Sequence, residues 1–189
     1  IDHVVAQYES GTLFNAQGRC AIIDFLRRVK PNIKGQKDGA IAPSHDPEQR
    51  LQQIIHVVTQ LDHSYLAIQG PPGTGKSYTA KRIIAELVKH GVRVGISSNS
   101  HKAINHLLLS TAKYCCKQKI SATFACTSNT EPDLATFSVS IVKNNQLAGH
   151  VRPRCVLGTT AWGFARDDMQ NTLDYLFIDE AGQVSIANL

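Results

Sequence analysis

The sequence predicts an α/β domain, a mostly parallel sheet flanked by helices, and three observations predict it. Short apolar runs of strand type (residues 65–68, 92–97 and 175–178) alternate with longer segments of helical periodicity. The turns between them are short, which suits strands running the same way with helices returning over the faces. The octapeptide Gly70-Pro71-Pro72-Gly73-Thr74-Gly75-Lys76-Ser77 lies between an apolar run and a helical one, the setting in which such a loop holds phosphate. At 189 residues and 42% hydrophobic, the chain can bury a sizeable core.

Residues 1–45 read as an approach segment, the edge of a preceding domain. It carries a short helix over residues 21–29, stopped by Pro31, and a linker running to Pro43. The main domain is expected over residues 46–189. Asp46 has the chemistry of a helix N-cap, with Pro47 in the first turn and Gln49 closing a capping box. Leu51, Ile54, Ile55 and Val58 continue at helical spacing, so this helix buries one face and ends near Leu61. The apolar run over 65–68 suits a buried strand leading into the octapeptide, and residues 79–90 a helix leaving it. His90-Gly91 stops that helix. Residues 92–97 alternate as a strand, and Asn99-Ser100 can cap a helix carrying Ile104, Leu107, Leu108 and Thr111. Residues 121–127 suit another strand. Residues 128–150 give no clear element beyond a turn at Glu131-Pro132-Asp133. Val156-Leu157 enters a strand that ends at Gly158-Thr159-Thr160, and Tyr175–Ile178 is a short run of buried-strand type.

Composition narrows the class. No apolar run approaches the roughly 18 residues that a membrane helix needs. The start, Ile1-Asp2-His3, has neither the basic residues nor the apolar centre of a signal peptide. It also lacks an initiator Met, which suggests a piece of something larger. The five cysteines are odd in number and include no Cys-x-x-Cys, as expected for reduced thiols inside a cell. His101, His106, Cys115, Cys116 and Cys126 match no familiar zinc spacing, and packing in or near a core suits the cysteines better. The net charge is +5 and unevenly placed: residues 81–119 hold eight Lys or Arg against the single acid Glu86. That balance suits a polyanionic partner, although solvated helix faces account for it equally well.

The octapeptide is a complete Walker A pattern and identifies a nucleoside-triphosphate site. Its glycines let the backbone bend so that several N–H groups face anionic oxygens, and the following helix adds the positive end of its dipole. Residues 70–77 and Tyr78 form the nucleotide-binding set. Within it Lys76 reaches the β- and γ-phosphates, and the Ser77 hydroxyl ligates Mg²⁺. A carboxylate at the carboxyl end of a strand beside such a loop is where a second metal-holding residue belongs. Asp179 occupies that position and holds Mg²⁺ through its water shell. Glu180, one residue beyond, is placed to orient and deprotonate an attacking water.

Here a resemblance enters. Ile68-Gln69-Gly70-Pro71-Pro72-Gly73-Thr74-Gly75-Lys76 with Asp179-Glu180-Ala181-Gly182-Gln183 resembles motifs I and II of superfamily 1 helicases. The closer likeness is to the branch containing the nonsense-mediated-decay RNA helicase and bacterial helicases fused to a RecB-like nuclease. Residues 97–104, after the strand that follows the Walker A helix, sit where motif Ia falls. Residues 156–162 resemble motif Ic. The resemblance implies a first RecA-like domain of an ATP-driven motor moving 5′ to 3′ on single-stranded DNA or RNA. It makes Ser98, Asn99, Lys102, Thr159 and Thr160 candidate backbone contacts, a role their hydroxyl, amide and ammonium groups suit. It adds Gln183 to the catalytic set with Lys76, Asp179 and Glu180. It also implies an adenine-reading glutamine near the start of the preceding helix: Gln49 first, with Gln52 and Gln53 as alternatives.

The resemblance further implies partners. A second RecA-like domain, with the arginines that complete the site, belongs to the family but not to these residues, and one branch carries an upstream nuclease. The 189 residues alone are therefore expected to bind nucleotide but hydrolyse it poorly. Two other readings compete. A different P-loop enzyme, AAA+ or kinase-like, would ignore single strands; a nucleic-acid-binding module with a degenerate site would not turn over ATP. Trp162 either stacks on a base or packs against a helix, and packing is the more usual fate of a lone Trp.

Overall fold

The computed structural model describes residues 2–13, 19–35 and 39–184, and the chain divides into two compact units between Thr74 and Gly75. The division lies within the phosphate loop. Hydrogen bonds explain why the approach segment and the helix after it stay together. Lys34 N–H donates to Gln60 O at 2.9 Å, and Asp62 N–H donates to Asn32 O at 3.1 Å. The Ser64 hydroxyl accepts from Asn32 N–H at 3.0 Å and donates to Asp24 at 3.1 Å. Tyr65 donates to Val29 O at 2.8 Å and meets Phe25 edge-on, with ring centroids 5.4 Å apart.

The first unit holds α1 (Asp2–Glu9), α2 (Ala21–Leu26) and α3 (Pro47–Thr59). α2 stops earlier than Pro31 requires, because Arg28 turns left-handed at φ 54° and the chain closes with Val29 N–H on Asp24 O. α3 starts as its sequence predicts: Asp46 accepts from Gln49 N–H at 2.8 Å, and Pro47 occupies the first turn. The capping box takes a different form. Ser44 Oγ accepts from Asp46 N–H and donates to Gln49 Oε1, each at 3.2 Å, so a serine relays what the glutamine was expected to do directly.

The strand expected over residues 65–68 is not formed, and Ala67 and Ile68 are exposed. An apolar run becomes a strand only when a neighbour completes its backbone hydrogen bonds. Among the described residues, the one pairing in this stretch is the antiparallel bridge between Ile33 and Leu61.

The second unit is the expected α/β sandwich. Its elements are α4 (Lys76–Lys89), β1 (Val94–Ser97), α5 (His101–Lys117), β2 (Thr123–Cys126), β3 (Val139–Ile141), β4 (Cys155–Gly158), α6 (Ala161–Phe164) and β5 (Tyr175–Ile178). The five strands lie in the order β3-β2-β4-β1-β5, and every pairing is parallel. β3 is the strand that the sequence did not declare. Both central strands, β1 and β4, are buried throughout, as the middle of a covered parallel sheet should be.

Alternation splits the core in two. Val94, Ile96 and Val156 share a face with Gly158, over which α5 brings Ile104 and Leu108. Ala125, Cys155 and Leu157 occupy the other face with Leu147 and Met169, closed by Phe164 and Leu173. That second cover is built from 3₁₀ turns and the single turn of α6 rather than long helices. Arg93 clamps the amino ends of β1 and β5: its guanidinium grips Asp174 at 2.6 and 3.0 Å, and its N–H donates to the same carboxylate at 2.8 Å. These bonds hold the Asp174 carboxyl below the usual range.

Candidate functional site

Parallel strands send all their carboxyl ends to one edge, and that edge gathers those residues singled out by sequence that lie in the second unit. In order across the sheet, β3 delivers Lys143 and Asn144, β2 delivers Thr127, β4 delivers Thr159 and Thr160, β1 delivers Ser98 and Asn99, and β5 delivers Asp179 and Glu180. α4 packs on β1 and is joined to it by the reversal at His90-Gly91, so its amino end lies at the same edge. Lys76 and Ser77 stand in that first turn, half-buried.

Gly75 caps α4 in the left-handed region at φ 85°, which a residue with a Cβ rarely adopts, and Thr79 N–H closes on its carbonyl at 2.9 Å. Gly73, in the first unit, has φ 82°. There Thr74 folds back on Pro71: its hydroxyl and N–H both donate to the Pro71 carbonyl, at 2.8 and 3.4 Å. Residues 71–74 are exposed. Tyr78, expected beside the nucleotide, is 47% exposed, and the Arg82 guanidinium stacks on its ring at 3.4 Å from the centroid.

At the far end of the edge, Asp179 N–H donates to Ser97 O at 2.9 Å, which carries the β1–β5 ladder one residue past the strand. Asp179 Oδ1 accepts from Glu180 N–H at 3.0 Å. Glu180 sits at φ 53°, ψ 38°, a left-handed conformation that costs a non-glycine residue about 1 kcal/mol. The turn it makes leaves its side chain exposed. Asn99 donates from its amide to the Gln183 carbonyl, so the loops after β1 and β5 are tied together. Gln183 itself is exposed.

The expected backbone contacts divide. Asn99 and Lys102 are exposed and Thr160 is half-buried. Ser98 and Thr159 are 2% and 0% exposed. The Thr159 hydroxyl is bonded to Thr127 at 2.8 Å and donates to Asn144 at 3.1 Å. It braces three loops together and holds them as a platform. Ser98 Oγ lies 3.5 Å from Ser100 N–H at the start of α5. No sequence signal marked Asn144 or Thr127, because their partners come from strands whose order the sequence does not reveal.

The basic run is dispersed. Lys89, Arg93 and Lys113 are engaged with Glu86, Asp174 and Asp133, and α5 carries Lys117 to the opposite end of the sheet from Lys102. Gln49 is exposed, with its carbonyl taken by Ser44, and Gln53 accepts from Ser44 N–H at 3.0 Å. Cys115 and Cys126 are buried, and burial pushes the Cys115 thiol up to about 11, so it behaves as a small apolar group. Among the described residues no helix is long and apolar enough to cross a membrane.

Residues 52–189 match the family model described as an AAA domain. The chain is 31% identical over 173 residues to the DNA replication ATP-dependent helicase/nuclease DNA2 of Saccharomyces cerevisiae, covering 82% of this chain and 11% of that protein. It is 34% identical over 76 residues to the Regulator of nonsense transcripts 1 homolog of Drosophila melanogaster, covering 40% and 6%. The DNA2 protein of Bos taurus is 29% identical over 172 residues, covering 86% and 16%. The matches therefore span well under a fifth of each relative's length. No solved structure gives a significant match. The helicase resemblance carried by residues 68–183 is borne out by these relatives, and the five-stranded parallel sheet bears out the fold class.

Proposed function

Because the chain belongs to the AAA-domain family, we propose that it is the ATP-binding motor domain of a helicase or translocase acting on single-stranded DNA or RNA. One observation carries the reading. Lys76 and Ser77 in the first turn of α4 and an acid pair ending β5 share the carboxyl edge of one parallel sheet with exposed amide and lysine side chains. The similarity to helicases that act with ATP supports it.

In this reading Lys76 and the first N–H groups of α4 hold the terminal phosphates. Ser77 and Asp179 offer a hydroxyl and a carboxylate, an all-oxygen donor set suited to Mg²⁺, which neutralises charge between those phosphates when bound. Asp179 Oδ1 is taken by the Glu180 N–H, which leaves Oδ2 for the ion or its water. Glu180 accepts the proton of the attacking water, and the left-handed turn sets its position. Asn99, Lys102 and Thr160 touch the nucleic-acid backbone. Gln49 reads adenine only by releasing Ser44. The tie from Asn99 to Gln183 joins a nucleic-acid loop to the loop that carries the catalytic acid, a direct route for one site to bias the other.

A labelled single-stranded oligonucleotide tests the interface through its fluorescence anisotropy as salt is raised. Lys102→Ala is expected to lower the steepness of the log–log salt dependence by about 0.7, the value of one lost phosphate contact on a single strand. An unchanged slope assigns Lys102 to a solvated helix face instead.

A further inference from the structure

Trp162 is the protein's one tryptophan and, at 79%, the most exposed large hydrophobic side chain among the described residues. Packing against a helix is therefore not its role. Its neighbours explain how it is held outward. Gly163 is buried against Thr159, and Phe164 turns inward to the cluster around Leu157. The single turn of α6 then leaves residue 162 on the opposite side, facing water. Its backbone is fixed: Gly163 N–H donates to Thr160 O at 2.9 Å and Ala165 N–H to Ala161 O at 2.8 Å. An indole in water gains nothing unless something flat and apolar covers it.

Its place says what covers it. α6 begins three residues past the carboxyl end of β4, directly after Thr160. Cations stand to both sides along the sheet: exposed Lys143 follows β3, one strand beyond β2, and exposed Lys102 follows the adjacent β1. Those two strands stand three spacings apart, roughly 14 Å, with the β4 exit between them. Asp167 and Asp168 follow α6, and Arg166 ion-pairs with Asp168 at 3.0 Å. An aromatic face bracketed by lysines is the pairing that single-stranded nucleic acid needs, with bases on the ring and phosphates on the ammonium groups.

We infer that Trp162 is a base-stacking platform on the carboxyl edge of the sheet, gripping one base of a single strand whose backbone runs past Lys143, Thr160 and Lys102. The inference rests on the nucleic-acid reading above and adds to it a contact with the base itself. Stacking is indifferent to base identity and sugar, so the platform serves DNA and RNA alike.

The lone tryptophan makes the test direct. The protein is titrated with an end-labelled oligothymidylate and with an abasic oligomer of equal length and charge, reading label anisotropy and indole emission together. Both oligomers are expected to raise anisotropy, but only oligothymidylate quenches the indole. Trp162→Ala is expected to weaken oligothymidylate binding about tenfold and abasic binding little, while Trp162→Phe keeps most of the affinity. An unchanged melting temperature shows that Trp162→Ala has left the fold intact. Binding without quenching, and with Trp162→Ala equal to wild type, overturns the platform and leaves the interface standing. No anisotropy change with either oligomer overturns the interface and the platform with it. Indole emission that shifts with protein concentration alone assigns the ring to a contact between copies and overturns the platform.

Discussion

Lys76→Ala is expected to weaken binding of a fluorescent ATP analogue roughly 10- to 100-fold, the worth of a hydrogen bond to a charged group in a sheltered site. Lys76 stands in the first turn of α4, behind the left-handed cap at Gly75, where the positive end of the helix dipole already favours an anion. The ammonium adds a full charge to that partial one. Alanine is the better helix former, so α4 itself should not suffer. The melting temperature is expected to stay within a few degrees of wild type. Equal nucleotide affinity in both proteins would make the glycine-rich segment a turn between two units and nothing more. Equilibrium titration with a circular-dichroism melt distinguishes loss of the site from loss of the fold.

Gly158→Val should carry the largest cost in stability. Gly158 closes β4 between Ile96 on β1 and Cys126 on β2, and a Cβ built there meets Ile104 Cγ2 at 2.8 Å and Leu108 Cδ1 at 2.9 Å. Both residues on α5 are fully buried and have no space to retreat into. Overpacking at such a site costs about 3 kcal/mol, or roughly 6–12 °C of melting temperature for a chain of this size. Leu108→Ala in the same chain makes room, so the double variant is expected to lose clearly less than the two single losses summed. Simple additivity would mean that α5 does not lie against Gly158. The same glycine brings α5 close to the sheet, and so sets where Lys102 and Asn99 stand.

The parts legible in the sequence are those whose local chemistry and tertiary role agree. α3, α4 and α5 follow their apolar periodicity, and Asp46 and Gly91 mark their ends. β4 and β5 were readable as short apolar runs and β1 as an alternation, although only β1 and β4 are central and buried throughout. Residues 65–68 have that same composition yet form no strand, since composition does not supply a pairing neighbour. β3 was hidden for the opposite reason. Three residues, two of them exposed, carry little pattern of their own, and pairing to Phe124–Cys126 makes them a strand.

In the site, residue types predicted the chemistry but not the burial. Ser98, Thr159 and Thr160 read alike as hydroxyls after strands. The structure encloses Ser98 and Thr159 and leaves Thr160 half-buried, because Asn144 and Thr127 close over Thr159. Trp162 reversed expectation in the other direction. The prior for a lone Trp is packing, and only the inward turn of Gly163 and Phe164 reveals that the ring is left outside.

The most direct measurement of the whole account is steady-state ATP hydrolysis by the protein in its natural full-length chain, with and without single-stranded oligonucleotide, at fixed salt and Mg²⁺. The account predicts hydrolysis that rises severalfold or more on adding a single strand of DNA or RNA, that duplex of equal length does not match, and that Lys76→Ala removes. Hydrolysis that depends on Lys76 but ignores both polymers would contradict it. The sheet edge beyond Asp179 would then be a set of ordinary turns around the site of a different phosphate-loop enzyme.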